Sequence, residues 1–343
     1  MKGKKCNKIK IIIKKKLTYK GGYFNGKKEG KGKEYQNGKI IFEGEYTDGQ
    51  KNGKGKEFYN DGEIKCEGEY LNGKRNGKGK DYYNGKLIFE GEYLNGKRNG
   101  KGKEFYNGKL RYEGEYLNGE RYGKGKEYNS DVKLRYEGEY LNGERNGKGK
   151  EYYNGQLIYE GGFKNGEKNG NGKEYYNGEL VFEGEFLKKE RWNGKGKEYK
   201  ENKLIFEGFY SKGKRSGMGK EYYKGELIFE GQYLYNYKIK GEEYNKGILR
   251  YKGEYLYNRK YKGKGYDSNG NLIYEIINGN GTIKEFNNDD KLIFEGEYLN
   301  GKRNGKGKEY YNDKLIFEGE FLNGKRWKGK GEEYEEYEED EYW

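Results

Sequence analysis

The sequence predicts an all-β chain: an antiparallel meander of two strands per repeat, stacked into an elongated solenoid. Three observations predict it. An aromatic-Glu-Gly-type anchor returns fourteen times, from Tyr19 to Phe317, in steps of 20 to 24 residues. Each step carries two turn signals, such as Asn95-Gly96 and Asn107-Gly108, between short alternating runs. Glycine supplies 62 of the 343 residues and recurs every few positions. An interior glycine costs a helix about 1 kcal/mol relative to alanine, so helix is disfavoured. A fixed period of this length decides the architecture, because each unit buries its apolar face only against its neighbours.

The unit that starts at Phe89 reads FEGEYLNGKRNGKGKEFYNGKLR and shows each element in turn. Its first strand is the run Phe89 to Leu94. A four-residue loop, Asn95 to Arg98, is expected next, with Leu94 opposite Asn99. Tyr93 then faces Gly100, Glu92 faces Lys101, Gly91 faces Gly102 and Glu90 faces Lys103. One face carries aromatics over glycines, and the other pairs each Glu with a Lys. A slip of one residue destroys both patterns together. A three-residue loop, Tyr106-Asn107-Gly108, is expected at the second turn, with Gly108 left-handed and Tyr112 opposite Gly102. The longer units carry their extra residue within YNDGEI and LKKERWNGKG, so insertions are expected in turns. At about 4.7 Å per strand, two strands per anchor extend to about 130 Å before twist.

Three segments follow from composition. Residues 1–18 are basic, with Lys2, Lys4, Lys5, Lys8, Lys10, Lys14, Lys15 and Lys16 and no acid. Residues 19–331 are the repeat array, least regular over about 235–291, where Glu-Ile-Ile replaces Glu-Gly-Glu after Tyr274. Residues 332–343, EEYEEYEEDEYW, are acidic and aromatic. The ends cancel in charge, so the array carries the net +14.

Missing residue types exclude much chemistry. With no His there is no Ser–His or Cys–His nucleophile pair and no His metal ligand. Two cysteines, Cys6 and Cys66, make neither a Cys-rich metal site nor a disulfide framework. Gly-x-Gly recurs without a following Ser or Thr, so it is a floor for aromatics and not a phosphate loop. Glu90 and Glu92 recur in nearly every unit opposite lysines, whereas an active site occurs once. No catalytic, cofactor or metal residue is expected. No apolar run is long enough for a membrane helix or a signal peptide, and a cytoplasmic location is expected.

The stretch YEGEYLNGERNGKGKEYYNG, Tyr136 to Gly155, resembles the MORN (membrane occupation and recognition nexus) repeat. That motif is an aromatic-Glu-Gly-aromatic stretch, then Asn-Gly-Lys, then Gly-x-Gly, about 23 residues in all. The chain also looks similar to the bacterial MORN-variant repeats in its Lys-Glu-Tyr-Tyr-Asn-Gly ending. It departs from the motif where Tyr or Phe replaces Trp and where Asn76, Asn99, Asn146 and Asn304 replace His. The resemblance implies about fourteen repeats and a non-enzymatic scaffold or interaction protein. An enzyme name such as lipid kinase would be inherited from repeat similarity only.

The expected partners are a protein and an anionic lipid or membrane surface, the latter met through the eight head lysines. A protein-only binding module is the alternative. Nucleic acid is disfavoured, because most array lysines face a glutamate. The aromatics Tyr93, Tyr116, Tyr140 and Tyr298 are the expected contact residues of the array. Tail-mediated homodimers are also expected, through the tyrosines and acids of 332–343.

Overall fold

A computed structural model describes residues 16–332, apart from 288 and 290. The described residues form twenty-eight strands and no helix, from β1 (Tyr19–Phe24) to β28 (Lys325–Gly331). That is two strands for each of the fourteen anchors. The chain divides into two compact units, Met1–Glu167 and Lys168–Trp343. In the first unit, neighbouring strands pair antiparallel in chain order. The second unit follows the same rule up to β23 (Leu272–Ile276), and a separate five-stranded sheet begins at β24 (Gly281–Phe286).

The register keeps the two expected faces but reaches them differently. Strand β7 (Lys86–Leu94) pairs with β8 (Lys97–Tyr106) through Phe89 and Glu104, Glu90 and Lys103, Gly91 and Gly102, then Tyr93 and Arg98, and Leu94 and Lys97. The pairs Gly91–Gly102 and Glu90–Lys103 are those expected; Leu94–Asn99, Tyr93–Gly100 and Glu92–Lys101 are not formed. The turn is a two-residue one. Asn95 and Gly96 have φ of 52° and 87°, the left-handed pair that an Asn-Gly hairpin turn requires. Lys97 and Arg98, assigned to the loop, instead pair with Leu94 and Tyr93, and a bulge further along sets Glu92 against Asn99, Gly100 and Lys101.

The second turn is corrected in the same way. Asn107 and Gly108 alone form it, with Tyr106 opposite Lys109 on β9 (Lys109–Leu117). A bulge after Glu104 leaves Arg111 as the extra residue and restores the faces. Tyr112 therefore lies opposite Glu104, and Gly102 lies opposite Gly114. Of the three longer units, two have their extra residue in a turn, at Tyr59 to Glu63 and at Asn129 to Lys133, as expected. In the other, Lys188 and Lys189 make the turn, and the extra residue Trp192 is absorbed at the bulge inside the next strand.

Repeats are stapled to one another at the first turn. The Gly96 N–H donates to the Arg75 carbonyl of the preceding repeat at 2.8 Å, and Gly119 does the same to Arg98 at 2.8 Å. The Asn95 N–H donates to the Asn76 side chain at 3.4 Å, and Asn118 to Asn99 at 3.4 Å. The Asn that stands in the place of the motif's His thus accepts a bond from the next turn.

Candidate functional site

The aromatic face is built from the glycine floor upward. Phe89 lies flat across its own strand and the next. A Cβ on Gly91 would come within 2.7 Å of its ring, and one on Gly102 within 2.5 Å. Only glycine allows that approach. The second aromatic of each repeat stands edge-on to the flat rings on either side. Phe89 meets Tyr93 at 5.5 Å and Tyr116 at 5.3 Å; Tyr112 meets Tyr116 at 5.6 Å and Tyr140 at 5.3 Å. Each edge-to-face pair contributes about 0.5–1.5 kcal/mol beyond its burial.

A ladder of alternating charge covers these rings. Arg98 lies over Phe89 at 4.0 Å, Arg121 over Tyr112 at 4.2 Å and Arg145 over Tyr136 at 4.2 Å. Each arginine also bridges two acids. Arg121 reaches Glu104 at 2.5 Å and Glu127 at 3.6 Å; Arg145 reaches Glu127 at 2.5 Å and Glu151 at 2.7 Å. Tyrosine hydroxyls donate into the same acids: Tyr93 to Asp81 at 2.6 Å and Tyr140 to Glu127 at 2.9 Å. Burial alone would raise the Glu127 carboxyl, but Arg145, Tyr140 and Arg121 hold it below the ordinary carboxylate value. Burial, then the neighbouring acid, pushes the Tyr93 and Tyr140 hydroxyls well above the ordinary tyrosine range.

This arrangement places the sequence-derived candidates plainly. Tyr93, Tyr116 and Tyr140 are only 3–5% exposed, and Tyr298 is half-buried with its hydroxyl bonded to Glu285. They are core rings beneath the ladder, not an open contact surface, because the arginine and acid of each repeat close over them. Of the head lysines, Lys16 is described and exposed; Lys2, Lys4, Lys5, Lys8, Lys10, Lys14 and Lys15 lie outside the described residues. The acidic segment beyond Glu332 lies outside them as well. The ladder itself is what the sequence reading missed. Its signal was an Arg and an acid six residues apart, as in Arg98 and Glu104 or Arg121 and Glu127, repeated at the period.

Two irregularities interrupt the pattern. Cys66 occupies an anchor position as a buried free thiol, too small to cover its glycines. Arg75 drops into that space and lies over Tyr93 at 3.5 Å. In the second unit, Ile276 and Ile283 fill positions equivalent to Gly91 and Gly102, and both are buried. Tyr274 cannot lie on them. Its ring turns instead onto Gly265, where a Cβ would sit 2.0 Å from it. Gly265 stands where other repeats have the ladder acid, so the ladder stops at Lys260, which bonds Glu243 at 2.9 Å and the Tyr274 hydroxyl at 3.3 Å. It resumes at Glu285 with Arg303 at 2.7 Å. Here β23 and β24 join through a single bridge, Ile277 to Asn280.

Among the described residues, no cluster of acids or cysteine offers a metal site, and no helix is long and apolar enough to cross a membrane. The family model described as MORN repeat matches ten stretches: 19–40, 42–64, 66–85, 89–109, 112–131, 136–156, 159–179, 206–225, 294–315 and 317–327. These cover more than half of the chain. The unmatched stretches between them include 180–205, which holds Trp192, and 226–293, which holds Gly265, Ile276 and Ile283. No curated protein matches the chain.

Proposed function

This chain belongs to the MORN repeat family, and we propose that it is a non-catalytic scaffold that presents one surface many times over. The observation that carries this reading is the sameness of the repeats. In most repeats a glutamate pairs with a lysine on one face, and the aromatics are sealed under a cation and an acid on the other. A catalytic centre needs a constellation that occurs once, whereas a scaffold needs a regular track. The array is the part that meets a protein partner in the cytoplasm.

The basic head adds peripheral contact with anionic membranes. Lysine beside an anionic leaflet contributes about 1 kcal/mol each, screened by salt. Deleting residues 1–18 is expected to reduce sedimentation with phosphatidylserine or phosphoinositide vesicles at least tenfold at low salt, with the remaining binding less salt-sensitive. Equal sedimentation with and without the head, or a full-length protein that never sediments, supports the protein-only reading instead.

A further inference from the structure

The glutamate–lysine face holds two rows of lysines that look alike in sequence and differ in the structure. Lys80, Lys103 and Lys126 each reach a glutamate of the next strand, at 3.7, 3.8 and 3.9 Å. Two residues earlier in each repeat stand Lys31, Lys54, Lys78, Lys101, Lys124 and Lys148. Five of them lie opposite a glutamate, as Lys54 does opposite Glu69 and Lys101 opposite Glu115. Among the described residues none of the six forms an ion pair, and all are exposed.

Their glutamates are engaged elsewhere. Three of the five turn to the bulge on their other side and accept a backbone N–H: Glu45 from Lys54 at 3.2 Å, Glu69 from Lys78 at 3.4 Å, Glu139 from Lys148 at 3.3 Å. The same geometry at Gly100 would put a Cβ 2.1 Å from the Glu92 carboxylate. The bulge thus uses the carboxylates and leaves a row of free ammonium groups, one per repeat, across the first unit. In the second unit Asn171 and Met218 occupy equivalent positions and break the row. A parallel row of exposed leucines, Leu71, Leu94, Leu117 and Leu141, lies on the same face toward the first turn.

We propose that this row is a docking track for residues 332–343 supplied by a second copy of the chain. Spacing and charge both argue for that occupant. One repeat is two strands, about 9.6 Å at about 4.8 Å each. The segment begins Glu-Glu-Tyr-Glu-Glu-Tyr-Glu-Glu, a period of three. A chain in the polyproline II conformation turns once every three residues and advances about 3.1 Å per residue, so residues three apart share one side and cover about 9.3 Å, one lysine to the next. Its acids beyond Glu332 meet the lysines, and Tyr334 and Tyr337 meet the leucines. Twelve residues reach about 40 Å at most, enough for four lysines. The segment's root is held in its own second unit, where the Glu332 carboxylate pairs with Lys314 at 2.7 Å. A flat anionic surface fits this face less well, because it would also meet the glutamates of the adjacent paired row.

Zero-length carbodiimide coupling of full-length protein, mixed from nitrogen-14 and nitrogen-15 copies, tests this. Amide bonds between copies are expected from Glu333, Glu335 or Glu336 to Lys54, Lys78, Lys101 or Lys124. Replacing those four lysines with Gln is expected to lower that yield at least tenfold at an unchanged melting temperature. Replacing the turn lysines Lys74, Lys86, Lys97 and Lys133 with Gln is expected to change it less than twofold. The single variants Lys78→Gln and Lys101→Gln each lower it about twofold, so the test does not rest on the fourfold variant alone. Coupling of the segment only within one copy, only to lysines 2–16, or not at all overturns the proposal. So does full coupling of the fourfold variant to other lysines.

Discussion

Gly102→Val is expected to lower stability by about 1–3 kcal/mol, at the upper end of that range, as overpacking does. The reason is the floor beneath Phe89. A Cβ there meets the Phe89 ring at 2.5 Å and the Tyr116 ring at 3.0 Å, so both rings must move. Those rings are the links of the edge-to-face row, and their displacement passes to Tyr93 and Tyr112. Gly96→Ala makes a useful contrast. Gly96 has φ of 87° and no atom near its virtual Cβ, so only backbone strain applies, about 1–2 kcal/mol. Phe89→Leu, which removes the ring, is expected to recover part of the Gly102→Val loss and none of the Gly96→Ala loss. Hydrogen exchange followed repeat by repeat is the suitable readout, because an array of this kind opens locally. Additive losses in the Phe89 and Gly102 pair would contradict the packing described.

Glu127→Gln is the second large effect. Glu127 pairs with Arg121 and Arg145 and accepts the Tyr140 hydroxyl, in a site largely closed to solvent. Removing its charge leaves two guanidinium groups short of an acid, and breaking a buried pair costs about 3–5 kcal/mol. Partial exposure of these side chains reduces that, so a loss of about 2–3 kcal/mol is expected. Glu113→Gln removes an acid of the open lysine wall, whose Lys103 partner lies 3.8 Å away. An exposed pair contributes about 0–1 kcal/mol, so that variant should melt close to the parent. The pH dependence has a definite sign. Glu127, Glu174 and Glu198 all have carboxyls held below the ordinary value. Their stabilisation is complete above the unfolded carboxylate pKa and is lost as pH falls from there through the lowered folded value. Glu127→Gln should therefore flatten the acid side of the stability profile.

These two residues also show where the sequence was readable. The period, the anchors and the aromatic-over-glycine face follow from alternation alone, and Gly91 does lie opposite Gly102. The turns were misjudged because two geometries give the same glycine pairing. A four-residue loop with no bulge and a two-residue loop with a bulge both bring Gly91 to Gly102. Asn-Gly prefers the tight left-handed turn, and the Glu at the bulge caps its backbone, so the second geometry holds. The ladder was hidden for a related reason. Arg98 and Glu104 look like any other charges in a Lys-rich run. The expected register already sets Glu104 opposite Phe89, but only the bulge brings Arg98 out of the loop and opposite Tyr93, where the two share the aromatic face. The contact tyrosines were misplaced as a consequence: an aromatic face without its ladder looks open.

The sealing of that face is the centre of this account, and nitration of full-length protein with tetranitromethane, mapped residue by residue, tests it most directly. Tyr83, Tyr106 and Tyr153 are 60–68% exposed at the second turns and are expected to be nitrated within the first part of the reaction. Tyr93, Tyr116 and Tyr140, closed beneath arginine and acid, are expected to remain unmodified while the fold persists. Nitration of Tyr93, Tyr116 and Tyr140 at the rate of Tyr106 would contradict it, and would return those rings to an open binding groove.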